Sequence, residues 1–207
     1  MSAAAALRAR SAHDSHAADN RRIGILFAIG AALFAIASVP GASSISREAD
    51  AITYFLGSIF FTSAAFEQMR LASSDPAERW SSAIQLAGTI LFNVSTFTAI
   101  LDHLSGRQKD LLVWAPDAIG SVCFLLASGT AMWAVRRERN VARREAVLNM
   151  LGSILFGASA IGSYVIPNTG DFLNATLNRM GTLWGALCFL AGAVDLARGR
   201  PTLVPVV

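Results

Sequence analysis

Apolar residues fall into six long blocks along the chain, separated by polar and turn-forming residues. Each block is close to the roughly 17 to 25 residues that cross a bilayer as a helix. The six predicted spans are Ile23–Val39, Ala51–Phe66, Ile84–Leu101, Leu111–Val135, Val147–Ile166 and Leu177–Ala197. The connecting segments are short and rich in Pro, Gly, Ser or Arg, so consecutive helices should pack antiparallel. We therefore predict an all-α polytopic membrane protein, an antiparallel bundle of six transmembrane helices.

The segments outside these blocks are too short to form a further domain. Residues 1–22 consist mainly of Ala, Ser, His, Asp and Arg without an apolar face, which predicts a disordered tail. The transmembrane domain then covers 23–197, and 198–207 form a second short tail. Because Arg21 and Arg22 precede an apolar stretch, a cleaved secretory signal is the alternative for the first span.

All six spans share a five-residue element: a glycine, a small residue, two apolar residues and a phenylalanine. Its glycines are Gly30, Gly57, Gly88, Gly120, Gly152 and Gly185. They recur about every 32 residues, which predicts duplication of a helical unit. Small side chains return seven and eight residues later on the same helix face, forming a seam that lets helices approach closely in lipid. Odd and even helices run in opposite directions, so duplication also creates the inverted relation that many transporters use.

One part of the chain resembles the YrhK-like membrane domain family, a helical hairpin with a Gly-Ser-x-x-Phe element in each helix. The resemblance is carried by Asn149-Met-Leu-Gly-Ser-Ile-Leu-Phe156, Ser163-Tyr-Val-Ile-Pro167, Gly181-Thr-Leu-Trp-Gly-Ala-Leu-Cys-Phe-Leu-Ala-Gly192 and Arg200-Pro201. It is best over residues 147–201, and 56–97 resemble a diverged copy. The family has no established activity, so the resemblance implies a membrane fold and no catalytic or binding residue. Six spans are a departure from a single hairpin.

Composition supports a chain that lies in lipid. Hydrophobic residues make up 54% and charged residues 15%, with a mean hydropathy of +0.49, whereas soluble domains are about 25% charged. Cys123 and Cys188 both lie inside apolar blocks, which gives neither a disulfide framework nor a paired-cysteine zinc site. The net charge of +3 comes mostly from arginines that flank the spans. These favour a phospholipid surface over nucleic acid as the partner.

The basic residues also predict an orientation. Thirteen Lys and Arg lie on the side of the two tails, and four lie on the other side: Arg47, Arg107, Lys109 and Arg179. Cytoplasmic loops carry the excess of positive charge, so both termini should be cytoplasmic. The strong bias of arginine over lysine suggests high-G+C coding. We therefore expect a multi-pass protein of a bacterial cytoplasmic (inner) membrane.

Polar residues at the opposite membrane face are candidates for chemistry. Asp102 and His103 end the third span, and Asp117 begins the fourth, so two carboxylates and an imidazole could together bind a cation or pass a proton. The alternative for Asp117 is a helix start, where Pro116 suits the first turn and the carboxylate meets free backbone amides. Asn93 joins the candidates from a polar line on the third span. That line consists of Gln85, Thr89, Asn93 and Thr96, and either bonds neighbouring helices or lines a small polar cavity.

Two further carboxylates, Glu67 and Asp195, each lie six residues after a motif phenylalanine. Each is followed three residues later by an arginine, Arg70 or Arg198. The spacing predicts an ion pair on one helix face whose arginine reaches the headgroups. A coupled proton or ion site is the alternative.

These features leave three functional hypotheses. The leading one is a non-enzymatic structural or interaction module whose partners are the bilayer and either another copy or another membrane protein. The alternative is a small transporter or channel for a proton, cation or small solute, using Asp102, His103, Asp117 and Asn93. A membrane enzyme acting on lipid or quinone is the third. The chain lacks a phosphate loop, a His-Glu-x-x-His and a Gly-x-Ser-x-Gly, so we predict no enzyme, cofactor or metal site.

Overall fold

The computed structural model describes residues 3–41, 46–73, 75–101, 103–137, 141–167 and 169–198. Within these residues it is built from helices, and the only β-type pairing is an isolated bridge between Val165 and Phe172. The helices are α1 Ala3–Ser38, α2 Arg47–Leu71, α3 Pro76–Thr98, α4 Gly106–Ala134, α5 Val141–Gly162 and α6 Ala175–Ala197. Each predicted span falls largely within one helix, so the all-α fold is confirmed.

Five of the helices are long and apolar enough to cross a membrane, namely α1, α2, α4, α5 and α6. Helix α3 falls short of that hydropathy because Gln85 and Asn93 interrupt its apolar residues. It nevertheless has 23 residues, the same number as α6, and packs between α2 and α4.

The helices form a closed ring in chain order. Each helix packs on the next, and α6 returns to α1. At this closure a Cβ on Gly24 would meet the backbone of Ala197 and lie 2.8 Å from the Ala193 carbonyl oxygen. Only a glycine allows that approach, which brings the first and last helices together.

Within each hairpin, the two motif glycines face one another. A Cβ on Gly30 would lie 2.9 Å from the carbonyl oxygen of Gly57, and one on Gly57 would lie 3.1 Å from that of Gly30. The phenylalanine of each helix covers the glycine of its partner, as Phe34 does at Gly57. The same crossing recurs between α3 and α4 and between α5 and α6, where the glycines are Gly88, Gly120, Gly152 and Gly185. The seams are therefore occupied within one chain.

Every helix begins before its predicted span, and the starts of α1 and α4 have identifiable causes. Helix α1 begins at Ala3 and runs unbroken into the first apolar block, whereas the sequence predicted disorder over 1–22; the many alanines there favour helix. Helix α4 begins at Gly106, five residues before the predicted span. The Ser105 hydroxyl accepts from the Gln108 N–H, and the Gln108 side chain accepts from the Ser105 N–H at 2.9 Å, which is a capping box.

Candidate functional site

The axis of the ring is filled by the six motif phenylalanines, each 4 to 8% exposed. They form two layers. The first layer comprises Phe34, Phe92 and Phe156 from α1, α3 and α5, and the second comprises Phe61, Phe124 and Phe189 from α2, α4 and α6. Two layers arise because each phenylalanine follows its glycine by one turn, and alternate helices run in opposite directions.

The rings pack edge-on or tilted across both layers. Centroids are 5.8 to 6.5 Å apart within the first layer and 5.9 to 6.4 Å within the second. Between layers, the rings of one hairpin are 5.2 to 5.5 Å apart. These are the distances of favourable aromatic pairs. The space left among the six rings is about 10 Å³, which is too small to be a water-filled passage.

A large cavity of about 660 Å³ lies against the first layer. It is at the end of the ring where α1, α3 and α5 finish. Tyr54, Asp117 and Thr182 line it, and each lies three residues before the motif glycine of its helix. Because they share this position, the three side chains lie at the same level around the cavity, just beyond the point where the helices cross.

Asp117 was expected either at a helix start or in a site with Asp102 and His103. It lies in the first turn of the α-helical segment Ala115–Ala134, beside Pro116, but that segment continues a helix that begins earlier. The capping box at Ser105 starts α4 well before it, and a π-helical turn over Asp110–Trp114 precedes Pro116. A π turn is a common response to a side chain or proline that interrupts the ordinary helical ladder. Asp117 therefore lies within the helix and lines the cavity, where the Ser163 side chain contacts its carboxylate.

Most hydroxyls around the large cavity already bond other parts of the ring. The Tyr54 and Ser38 hydroxyls are 2.8 Å apart, and the Ser159 and Thr182 hydroxyls are 2.6 Å apart. Ser95 donates to the Val113 carbonyl oxygen at 2.8 Å. These bonds fasten α1 to α2, α5 to α6 and α3 to α4, and so fix the shape of the cavity walls.

A small cavity of about 110 Å³ lies against the second layer, at the opposite end of the ring. Phe27, Gln85 and Asn149 line it, and each again lies three residues before a motif glycine. Glu145 and Gln68 also line it, and each has one buried side-chain oxygen without a hydrogen-bond partner. The two cavities thus use equivalent positions of odd and even helices.

Glu145 was not among the predicted candidates, because it lies just before the predicted span Val147–Ile166. Its signal was available, because Glu145 lies four residues before Asn149 and so shares its helix face. The helix begins at Val141, earlier than the predicted span. That extra turn brings the carboxylate into the bundle.

Ion pairs close the end of the ring that holds the small cavity. Arg22 Nη2 lies 2.9 Å from Glu67 Oε1, and Arg144 Nε lies 3.1 Å from Asp195 Oδ2. Both arginines lie eight residues before a motif glycine, and both carboxylates lie six residues after a motif phenylalanine. Each pair therefore joins the two helices of one hairpin.

The middle hairpin replaces this ion pair by hydroxyls. Thr130, six residues after Phe124, donates to the Ser81 hydroxyl at 2.9 Å. The α3–α4 hairpin is therefore joined at this end by a weaker, neutral contact.

Two ion pairs between residues of the same helix were predicted, and one of them is present. Arg70 does bind Glu67, with Nη2 at 2.6 Å from Oε2. Asp195 was expected to pair with Arg198, and it pairs with Arg144 instead because α5 and α6 pack closely. The guanidinium lies outside hydrogen-bonding geometry at that oxygen, so the contact is an ion pair without a hydrogen bond.

The large-cavity end was predicted to hold a cluster of Asp102, His103 and Asp117, with Asn93 as a further candidate. The described residues do not form this cluster. Asp102 lies outside them. His103 is exposed and does not line the large cavity, and Asn93 is partly buried with its Oδ1 unpartnered and lines neither cavity. Asp117 alone of the described candidates lies in the large cavity. Among the described residues, no group of three or more His, Cys, Asp or Glu is placed to hold a metal ion.

The polar line on α3 serves both ends of the ring. Thr96 lines the large cavity and Gln85 the small one. Thr96 also bonds across to α2, since its hydroxyl lies 2.9 Å from that of Ser58. The line therefore both binds a neighbouring helix and lines cavities.

No protein family model, curated protein or solved structure matches this chain. The resemblance to the YrhK-like family accordingly stays a prediction.

Proposed function

We propose that this chain crosses the membrane six times and carries a small solute across it. In this proposal the large cavity opens to the outside and the small cavity to the cytoplasm. The observation that carries it is the alignment of two polar-walled cavities on one axis, separated by two layers of three phenylalanines. Ligand sites of membrane bundles typically lie between helices in this way.

Helix α3 is included as a crossing because it is a full member of the ring. It contributes Phe92 to the first layer and contacts both neighbouring helices. Gln85 and Thr96 line the cavities, and Thr96 also bonds α2. These polar side chains lower the mean hydropathy of α3 although they do not face lipid. The arginine distribution supports two cytoplasmic termini and a bacterial inner membrane.

The recurring glycine and phenylalanine crossing supports an origin by duplication of a hairpin. Because odd and even helices are inverted, each layer is the counterpart of the other across the membrane plane. Transporters built from inverted repeats open alternately to the two sides. The large open cavity and the ion-paired opposite end correspond to an outward-facing state in this scheme.

A structural or interaction module could use the glycine seams to bind a helix of another protein. Those seams are occupied inside the ring, as at Gly30 and Gly57. A cavity of about 660 Å³ also has no evident use in a module that only packs against partners. Both observations favour transport, and we propose a non-enzymatic role.

Uptake into proteoliposomes tests this function. A panel of small organic cations, anions and neutral solutes should contain at least one that enters saturably. Ala99→Trp places a bulky ring at the exposed wall of the large cavity and should abolish that uptake. Val94→Trp is the matched control, since Val94 lies in the last turns of α3, the helix that Ala99 caps, is 43% exposed and is not among the cavity-lining residues.

The function is contradicted if no solute of the panel enters. It is equally contradicted if Ala99→Trp leaves the uptake at the level of Val94→Trp, because the solute would then bypass the cavity.

A further inference from the structure

The deep part of the large cavity is aromatic. The three rings of the first layer form its floor, and Tyr54 and Trp114 stand in its wall. Trp114 is held in place because its Nε1 donates to the Ala160 carbonyl oxygen at 2.9 Å and its ring packs on Tyr164. Aromatic faces attract cations, and sets of them recognise quaternary ammonium groups.

Asp117 lies three residues before its motif glycine and Arg179 six residues before its own, so Asp117 lies about one turn closer to the aromatic floor. The basic residues that line the cavity lie further out: Arg47 and Lys109 are exposed, and Arg179 is one turn before Thr182 and donates to the Val39 carbonyl oxygen. Asp171, the other lining carboxylate, is exposed in the loop before α6. The carboxylate of Asp117 is thus the charged group that lies in the deep part of the cavity.

The Asp117 carboxylate has no cation beside it among the described residues. The three ion pairs found there all lie at the other end of the ring, and the contact of Asp117 is the Ser163 hydroxyl. Asp117 is partly buried, and partial loss of water around a carboxylate without a positive partner is unfavourable. A cationic ligand would supply that partner.

The remaining features of the cavity restrict the ligand further. An anion would be repelled by Asp117, and an inorganic cation would make no use of five aromatic side chains. A volume of about 660 Å³ accommodates a molecule of many heavy atoms, within the range of about 300 to 1,000 Å³ for small-molecule sites. The neighbouring hydroxyls are engaged with one another or with backbone, so they offer few free donors for a sugar or a phosphate.

We propose that the large cavity binds an organic cation, an ammonium group on an apolar body, with Asp117 as counter-ion and the first phenylalanine layer with Tyr54 and Trp114 as its aromatic wall. This rests on the proposed function for the transport of the ligand, and on the cavity alone for its binding. Neither feature alone would define this ligand. Asp117 favours a positive charge, and the aromatic wall favours an apolar cation over a metal ion.

Calorimetric titration of the purified protein in lipid nanodiscs tests the site, with benzyltrimethylammonium as the probe. Its neutral carbon isostere, neopentylbenzene, and benzenesulfonate serve as ligand controls. Asp117→Asn keeps the shape of the side chain and should weaken binding of the cation by about tenfold or more. Asp110→Asn is the matched variant, because Asp110 is on the same helix and membrane end but does not line the cavity. It should change binding by less than about twofold.

Binding of the cation with equal affinity in Asp117→Asn and the unchanged protein would overturn the proposal. So would absence of cation binding, or tighter binding of the neutral isostere or the sulfonate. If the cation binds as expected but never enters proteoliposomes, the transport function fails and the cation site stands. If an anionic or neutral solute enters and Asp117→Asn has no effect, the cation site fails and transport stands.

Discussion

The large and small cavities are made by equivalent positions and carry different chemistry. Three residues before the motif glycine, the even helices place Tyr54, Asp117 and Thr182 around the large cavity. The odd helices place Phe27, Gln85 and Asn149 around the small one. The shared spacing fixes where side chains meet the axis, and the individual residue decides the chemistry at each point. A carboxylate occupies that position on the large-cavity side alone.

The two ends also differ in how they are held. At the small-cavity end, one ion pair joins α1 to α2 and another joins α5 to α6. The described contacts around the large cavity are mostly hydroxyl bonds to neighbouring helices. The end that carries the ion pairs is thus the end with the smaller cavity.

The phenylalanine layers provide the largest test of this equivalence. Phe156→Ala in the first layer and Phe189→Ala in the second should each destabilise the protein by about 3 to 5 kcal/mol, because both remove a buried ring and leave a void. Thermal unfolding in detergent measures the effect. Phe66→Ala is the control, since Phe66 is 55% exposed on α2. If the stability losses of the two variants differ by several kcal/mol, the two phenylalanine layers are not equivalent.

Two glycine-to-alanine substitutions should change the stability in opposite directions, one at a helix crossing and one away from it. Gly30→Ala should cost about 1 to 3 kcal/mol, because its Cβ would lie 2.9 Å from a backbone oxygen that cannot move cheaply. Gly129→Ala should stabilise by about 0.5 to 1 kcal/mol, since nothing lies within 4 Å of its Cβ and alanine favours helix. The same unfolding assay compares both. Destabilisation by both variants to the same extent would show that close approach is not the reason for the motif glycine.

The ion pairs at the small-cavity end should contribute less. Asp195→Asn should lower stability by about 1 kcal/mol: Asp195 is 3% exposed, but the side chain of Arg144 is 63% exposed and solvent screens the pair. Raising the salt concentration should shrink the difference between the two proteins. A loss that does not depend on salt would argue against an electrostatic tie.

The hydroxyl contact of the middle hairpin should have the smallest effect. Thr130→Val removes the donor to Ser81 and should cost about 0.5 kcal/mol, without a dependence on salt. Denaturation at two salt concentrations, run beside Asp195→Asn, measures it. A cost larger than that of Asp195→Asn would reverse the assigned order of the two contacts.

Much of the ring could be predicted from the sequence, because apolar length and turn residues determine helices locally. The motif glycines and phenylalanines also identified positions that meet at the axis. The sequence offered a small polar cavity beside the third span as one alternative, but it did not predict two cavities or their volumes, since a volume depends on how side chains from all helices fill the centre together. The start of α4 was predictable from Ser105 and Gln108, whose spacing is a capping box.

The candidate residues were predicted unevenly for a similar reason. Asp117 was identified because a carboxylate near an apolar span is costly, but its partners depend on which helices touch. Proximity at one membrane face suggested His103 as a neighbour, and the fold leaves His103 exposed outside the cavity. Glu145 was missed because the helix α5 extends further into the arginine-rich segment than its apolar residues do.

Cysteine labelling from each side of the membrane tests the central claim, that the two cavities open to opposite sides. Ala99 lines the large cavity and Ala131 the small one, and both are exposed. With Cys123 and Cys188 replaced by serine, a membrane-impermeant thiol reagent should modify Ala99→Cys only in intact cells. It should modify Ala131→Cys only in inside-out vesicles. Reaction of both cysteines from the same side would contradict the account.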